Sequence, residues 1–399
     1  MSTCASRPSD SSVSEPHDST ALNPQLLART LSLRDLTDPK QGEHAIQHVV
    51  TCIEGALGDR WQIPVSRDPG PRIVPVADNY DALRYTPDAA SRDSRYTRYV
   101  GNGQMLRSHT SARIPALLRG LASRVPEAAL GGHEVLLSVP GITYRRDVID
   151  RQHVGEPHQL DLWRIRIEGP SLAEADLTQM IGLVVAAALP GRSWRSEPSP
   201  HPYTLAGREI LVQVNDHEIE IGECGLAHPE VLEAAGLPAA SAGLAMGLGL
   251  DRLLMLAKGI DDIRLLRSTD PRVNGQMQDL TQYQPVSAMP AARRDLSVAV
   301  QADLDEELLG DVIRAALGDD AAAVEEVQVL SQTGYDNLPL AARERLGMRG
   351  GQKNLLLRVL LRDLHATLTS EQANALRDRI YAALHTGDVS HWAGTNPSG

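Results

Sequence analysis

Two strand-like runs separated by a short polar stretch constrain this chain more than any other feature. Residues 134–150, EVLLSVPGITYRRDVID, and residues 158–169, HQLDLWRIRIEG, are rich in β-branched and apolar side chains. They read as a long antiparallel hairpin joined by a loop over 147–157. A second pair, REILVQVNDHEIEIGECG (208–225), turns at Asn215-Asp216. A third run, SAGLAMGLGLDRLLMLAKG (241–259), reads as a strand entering a helix that ends at Gly259. Helical spacing covers 43–57, where Ile46, Val49, Val50, Ile53 and Leu57 recur on one face with Asp38-Pro39 as a start signal. It also covers 105–124, with Ser111 as cap, Pro115 in the first turn and an apolar face including Ile114, Leu117, Leu118 and Leu121. A further helix spans 171–189. Hairpins beside separate helices give an α+β fold with an antiparallel sheet, not a doubly wound parallel one.

The glycines of GLAMGLGLDRLLML (243–256) invite a phosphate-loop reading, which the spacing rejects. A dinucleotide loop requires G-x-G-x-x-G, and here Arg252 stands where the third glycine belongs. A Walker loop requires Gly-Lys-Ser/Thr, which is absent. The expected role of the glycines is close packing of helix on sheet.

The chain has 399 residues, room for two or three domains. Residues 295–385 read strand, helix, strand, strand, helix, close to a ferredoxin-like module, with GMRGGQKN (347–354) as its exposed loop. The expected organisation is a disordered leader over 1–24, a catalytic domain over 25–280, the second domain over 284–386 and a tail over 387–399. A net charge of −12 argues against a generally basic nucleic-acid coat but not against one basic face. Three scattered cysteines and no apolar leader point to a reducing compartment, the cytoplasm. Phenylalanine is missing altogether, where ordinary usage would give on the order of a dozen.

Three elements carry candidate chemistry. Arg145 lies in YRRD on the first hairpin strand, and Arg252 lies behind the glycines. Planar, permanently charged guanidinium groups suit phosphate oxygens, and two of them converging on a sheet could clamp a triphosphate. Gln159 and Asp161 share one strand face and could grip an ammonium group. Glu220 could hold Mg²⁺ against the phosphates. The competing readings are a solvated strand face for YRRD, and a zinc site from His153, Glu156, His158 and Asp161. The latter lacks a zinc-protease spacing.

These residues resemble a known family. YRRD with PHQLD, and GLGLDR, look like motifs 2 and 3 of class II aminoacyl-tRNA synthetases. MLRSHTSA, YRRDVID, HQLDLWR, GECGLAHPEVL and GLAMGLGLDRLLML together resemble phenylalanyl-tRNA synthetase, over most of residues 100–385. Residues 284–385 resemble its ferredoxin-fold anticodon-binding domain, joined as in the single-chain organellar enzyme. The family's motif 1 is faint, around Pro39. The resemblance implies ATP-dependent activation of phenylalanine and its transfer to tRNA-Phe, with ATP and Mg²⁺, by a monomer or homodimer. It would place Arg145 at the α-phosphate and Arg252 at the γ-phosphate, with Asp147, Glu220, Gly247 and Gly249 also at ATP and Glu220 on the metal. His109, Ser111, Gln159, Asp161, His201, Tyr203 and Ala245 would meet the amino acid. Arg293, Arg294, Arg349 and Lys353 would meet tRNA.

The departures concern the substrate. His201-Pro202-Tyr203 stands where the family has Phe-Pro-Phe, and Leu244 and Met246 flank Ala245 where phenylalanines are usual. Pro157 replaces an aromatic, and Ile114 replaces a glutamine. One cause, avoidance of phenylalanine by an enzyme that loads it, would cover most of these; a pocket tuned to a related aromatic amino acid is the alternative. Activation for a tRNA-independent pathway and a non-catalytic RNA-binding paralogue are the remaining readings. Retention of Arg145, Arg252, Gln159 and Asp161 speaks against the paralogue, because converging charges cost stability without a ligand.

Overall fold

A computed structural model describes residues 21–124, 133–286 and 289–389. The chain opens with helices α1 (Pro24–Ser32) and α2 (Ala45–Trp61), then strand β1 (Val65–Arg67). A small sheet of β2 (Ile73–Pro75), β3 (Tyr99–Gly101) and β4 (Gln104–Leu106) follows, with α3 (Val76–Asn79) behind β2. Next come α4 (Ile114–Arg124), β5 (His133–Ile142), β6 (His158–Ile167), α5 (Glu174–Ala188), β7 (Trp194–Pro198), β8 (Thr204–Val214) and β9 (His217–Ala227). The N-terminal part closes with α6 (Pro229–Ala234), β10 (Ala242–Gly249), α7 (Leu250–Lys258) and α8 (Pro271–Asn274).

The large sheet orders its strands β1-β5-β6-β10-β9-β8-β7. Only the edge pair β1–β5 is parallel. This is the expected α+β arrangement, an antiparallel sheet flanked by helices. On one face α2, α5 and α7 pack against Leu160, Leu162, Leu244, Met246 and Leu248. All five apolar positions named for the first long helix are buried in that core, each contributing about 1.5–3 kcal/mol. On the other face α4 and α6 cover Trp163, Ile165 and Ala245.

Several local expectations need correction. Helix α2 starts at Ala45 with His44 as its cap, while Asp38 caps a separate short turn over Pro39–Gln41. Ser111 is not a helix cap. It sits within a 3-10 turn, Thr110–Arg113, that runs into α4, and Pro115 does fall in that helix's first turn. Leu22 N–H bonds the Tyr99 carbonyl and Asn23 caps α1, so the leader cannot extend through residue 24. Residues 1–20 of that leader and 390–399 of the tail lie outside the described residues. The turn at Asn215 (φ 53°) and the left-handed Gly259 (φ 68°) closing α7 fall where the sequence puts them.

The C-terminal part comprises β11 (Ala292–Gln301), α9 (Glu306–Leu317), β12 (Val324–Gly334), α10 (Leu340–Leu346), β13 (Gln352–Leu361) and α11 (Ser370–Leu384). Its antiparallel sheet runs β11-β13-β12, with both long helices packed on one core. Helix α10 occupies a stretch read only as connection. The following 347–354 segment is not wholly exposed, since Met348 and Gln352 are buried.

Candidate active site

Strand β10 forms the floor of the site. Its alternation is one-sided: Leu244, Met246 and Leu248 face the core, while Gly243, Ala245, Gly247 and Gly249 occupy the other face. A Cβ built on Gly247 would meet nothing nearer than Asp161 Oδ2 at 3.7 Å, and one on Gly249 nothing nearer than 3.9 Å. These glycines therefore do not serve close helix–sheet packing, as expected from sequence; they leave a bare strip in the middle of the sheet. Close approach occurs instead at Gly243, where a Cβ would lie 2.9 Å from the Ala227 Cβ, and at Gly222 on β9, where one would lie 2.1 Å from the Gly247 carbonyl oxygen.

Above this strip lies a cavity of about 360 Å³ lined by both Arg145 and Arg252. Arg145 is not on a strand. It sits in the loop after β5, held by its Nε–H donating to the Ser108 carbonyl at 2.8 Å. The loop continues the hairpin ladder through Thr143 N–H to Pro157 and Arg145 N–H to Gly155 carbonyls, both 2.8 Å. Arg252 rises from the first turn of α7 and donates to the Glu220 carbonyl at 2.8 Å, with His153 Nε2 3.3 Å from its other terminal nitrogen. Asp147, Glu220, Gly247 and Gly249 line the same cavity, as do His109, Ser111, Gln159, Asp161 and Tyr203. Two expected members stand back from it. Ala245 is buried in the core beside Trp163 and Tyr203, and His201 lies behind Glu223.

Burial sets the protonation around Asp161 and His109. Asp161 accepts hydrogen bonds from the Ser111 hydroxyl and from Trp163 Nε1. Burial nevertheless pushes its carboxyl up to about 7, against the lowering effect of those two donors. His109 is driven down to about 3, first by burial and then by the charge of Arg145, so its ring is neutral. Its Nδ1 has no hydrogen-bond partner among the described residues. Burial raises the Tyr85 phenol to about 12. Beside Arg252 burial raises the Glu220 carboxyl, opposed by the charge of that arginine.

Sequence reasoning missed Tyr85 and Glu223, which line the cavity, and Trp163, which orients Asp161; it offered His153, which also lines the cavity, only as a zinc ligand. Strict alternation puts Glu220 and Glu223 on opposite faces of β9. The β8–β9 register shifts between Ile210 and Leu211, skipping Ile221, and this bulge turns both carboxylates toward the cavity.

The C-terminal part grips the Arg145 loop. Arg314 on α9 donates to the carbonyls of Asp147 and Val148. Ile149 is buried in the C-terminal core, and its carbonyl accepts from Val327 N–H at 2.9 Å. Arg98 bridges Glu156 at 2.7 Å, Asp311 at 3.2 Å and the Arg145 carbonyl at 3.1 Å. Buried Glu325 receives Arg151 at 2.8 Å.

The alternative zinc set does not converge. His153 pairs with Asp150, Glu156 with Arg98 and His158 with Asp251, while Asp161 faces Ser111 and Trp163. Among the described residues no three His, Cys, Asp or Glu side chains gather as metal ligands. The basic residues expected at tRNA do not form one patch. Lys353 pairs with Val300 at one end of β11 and Arg293 with Leu360 at the other, about 20 Å apart along the strand. Arg294 bonds Asn374, and Arg349 is engaged by Asp388. No helix among the described residues is long and apolar enough to cross a membrane.

Comparison with known proteins places residues 37–277 under the family model for the tRNA synthetases class II core domain (F). The chain is 34% identical over 207 residues to a phenylalanine–tRNA ligase alpha subunit of Prochlorococcus marinus (strain NATL2A), covering 51% of this chain and 57% of that one. It is 28% identical over 320 residues to the chloroplastic/mitochondrial phenylalanine–tRNA ligase of Arabidopsis thaliana, covering 77% and 68%. A probable mitochondrial phenylalanine–tRNA ligase of Drosophila melanogaster is 24% identical over 368 residues, covering 78% and 75%. The chain thus spans little more than half the length of the alpha subunits it matches.

Proposed function

This chain belongs to the tRNA synthetases class II core domain (F) family, and we propose that it activates amino acids of the phenylalanine type with ATP and transfers them to tRNA-Phe. The observation that carries this is the convergence of Arg145 and Arg252, more than a hundred positions apart in sequence, on one cavity over a glycine floor. In the first step a carboxylate oxygen of the amino acid attacks the α-phosphorus of ATP in line, and pyrophosphate leaves. Arg145 neutralises charge where the carboxylate and α-phosphate meet, and Arg252 holds the γ-phosphate. Asp161 and Gln159 receive the α-ammonium, with His109 and Ser111 beside the carboxylate, so that the reacting atoms are held in register. In the second step a ribose hydroxyl of the terminal tRNA adenosine attacks the acyl carbon and AMP departs.

Magnesium fits the donor set. Glu220 lies beside Arg252 in the cavity, short of solvent, and Mg²⁺ is typically held by one or two carboxylates with substrate phosphates. When bound it would neutralise phosphate charge. We assign residues 25–280 to this catalysis and 284–386 to a ferredoxin-fold unit for the tRNA anticodon region, with Arg293, Arg294, Arg349 and Lys353 as separate contacts rather than one basic patch. The cysteine usage supports work in the cytoplasm.

The test is ATP–pyrophosphate exchange followed by aminoacylation of tRNA-Phe transcript with purified protein. Exchange and charging are expected. Absence of exchange with every aromatic amino acid overturns the reading, and exchange without charging removes tRNA from it.

A further inference from the structure

Glu223 has no role in the assignments above, yet its carboxylate lines the cavity. Strand register places it opposite Asp161. Asp161 on β6, Gly247 on β10 and Glu223 on β9 form one row across the sheet, and the middle residue has no side chain. Two carboxylates thus face one another over bare backbone, two strand spacings or about 10 Å apart at their Cα atoms. That is the scale of a tyrosine-like amino acid with a hydrogen bond at each end.

The walls of this space are aromatic. The Tyr85 ring stacks on His109 at 5.8 Å and lies 6.3 Å from the Tyr203 ring. Tyr203 in turn lies over the Trp163 indole at 6.1 Å. The far end is polar. His201 Nε2 is 3.0 Å from Glu223 Oε2, which draws the carboxyl below its ordinary range and keeps it ionised. An ionised carboxylate paired with one imidazole keeps acceptor capacity to spare. Phenylalanine would lay an apolar ring edge against it, removing water and returning nothing. A phenolic hydroxyl would donate to it.

We infer that the site is selective for aromatic amino acids bearing a ring hydroxyl, which the Glu223–His201 pair receives while Asp161 and Gln159 hold the α-ammonium. The inference rests on the adenylation reading above and names its substrate class.

ATP–pyrophosphate exchange with the full-length protein tests it, using phenylalanine, para-tyrosine, meta-tyrosine and 3,4-dihydroxyphenylalanine. At least one hydroxylated substrate is expected to exceed phenylalanine in kcat/KM by about tenfold or more. Glu223→Gln and Glu223→Ala should reduce that preference to below about threefold, through KM for the hydroxylated substrate. Should the alanine variant fail to fold, the near-isosteric glutamine variant carries the comparison. Phenylalanine equalling or beating every hydroxylated substrate overturns the inference, as does a preference that survives both variants. Those results leave adenylation standing. Exchange with no aromatic amino acid removes adenylation and this inference together.

Discussion

Removing one side chain of the C-terminal part should weaken ATP binding at the other end of the loop it holds. Arg314 donates two charged hydrogen bonds, to the carbonyls of Asp147 and Val148, two and three residues after Arg145. Hydrogen bonds from charged groups contribute about 1.5–3 kcal/mol each. The loop keeps other anchors in Arg314→Ala: Ile149 stays buried, Val327 still bonds its carbonyl, and Arg98 still reaches the Arg145 carbonyl. About half of the gross loss, 1.5–3 kcal/mol, should therefore appear as freedom of the loop. Since about 1.4 kcal/mol is tenfold, KM for ATP should rise roughly tenfold to hundredfold. The assay is pyrophosphate exchange without tRNA, so that loss of an RNA contact cannot contribute. KM for the amino acid should rise less than KM for ATP, because Gln159 and Asp161 sit on β6 and not on the loop, and only the contact of Arg145 with the carboxylate is loosened. An unchanged KM for ATP in a variant that unfolds at the wild-type denaturant midpoint would refute the argument: the loop would then hold its shape without the clamp.

Three further outcomes follow from the cavity. Gly222→Ala forces a methyl group to within 2.1 Å of a backbone oxygen and should destabilise by at least about 2 kcal/mol in urea unfolding, whereas Gly247→Ala, with 3.7 Å of clearance, should fold normally and lose exchange activity. Asp161 has its carboxyl raised from 3.8 to about 7, so its contribution to stability is complete below about pH 4 and is lost as pH rises through about 7. Asp161→Asn should accordingly gain stability relative to wild type as pH rises from about 5 to 8, and equal unfolding midpoints across that range would contradict it. Arg252→Lys should lose exchange by at least about a hundredfold, since a point charge cannot span both the Glu220 carbonyl and a phosphate; near wild-type exchange would deny Arg252 its place.

The sequence was most legible where one rule decided the outcome. Apolar spacing fixed the inner face of α2, and β-rich runs with a polar break fixed the antiparallel β5–β6 pair, though not the end of β5 at Ile142 or the register. It was least legible where an exception to period two, or a distant partner, decided. The bulge at Ile221 turns Glu223 toward the cavity, and one sequence offers no sign of it. Ser111 has the chemistry of a helix cap, and local rules assign it one; in the fold its hydroxyl donates to the β6 carboxylate fifty positions away. The C-terminal hold on the Arg145 loop joins residues 166 and 167 positions apart, through backbone carbonyls that carry no identity to read. The basic residues of the second unit were legible as charges, but their separation along β11 depended on strand register.

The missing phenylalanine can now be divided by position. Leu244 and Met246 lie on the core face of β10, at most 1% exposed, and Ile114 is buried at the start of α4, so these three departures fill space and do not line the cavity. Avoidance of phenylalanine accounts for Leu244 and Met246, because any apolar side chain of suitable volume would serve; Ile114, in place of a glutamine, is not explained by it. His201 is different. Tyrosine, leucine and methionine were all available to a chain avoiding phenylalanine, yet position 201 holds an imidazole paired with a carboxylate on the neighbouring segment. Composition alone does not call for that pair. Restoring phenylalanine separates the two causes. Leu244→Phe should cost about 1–3 kcal/mol of stability by overpacking and leave the order of amino-acid substrates unchanged. His201→Phe should move that order toward phenylalanine at similar stability, because it removes the partner that keeps Glu223 ionised and oriented. If His201→Phe leaves the order as it was, the polar end of the cavity follows from composition and has no part in choosing the substrate.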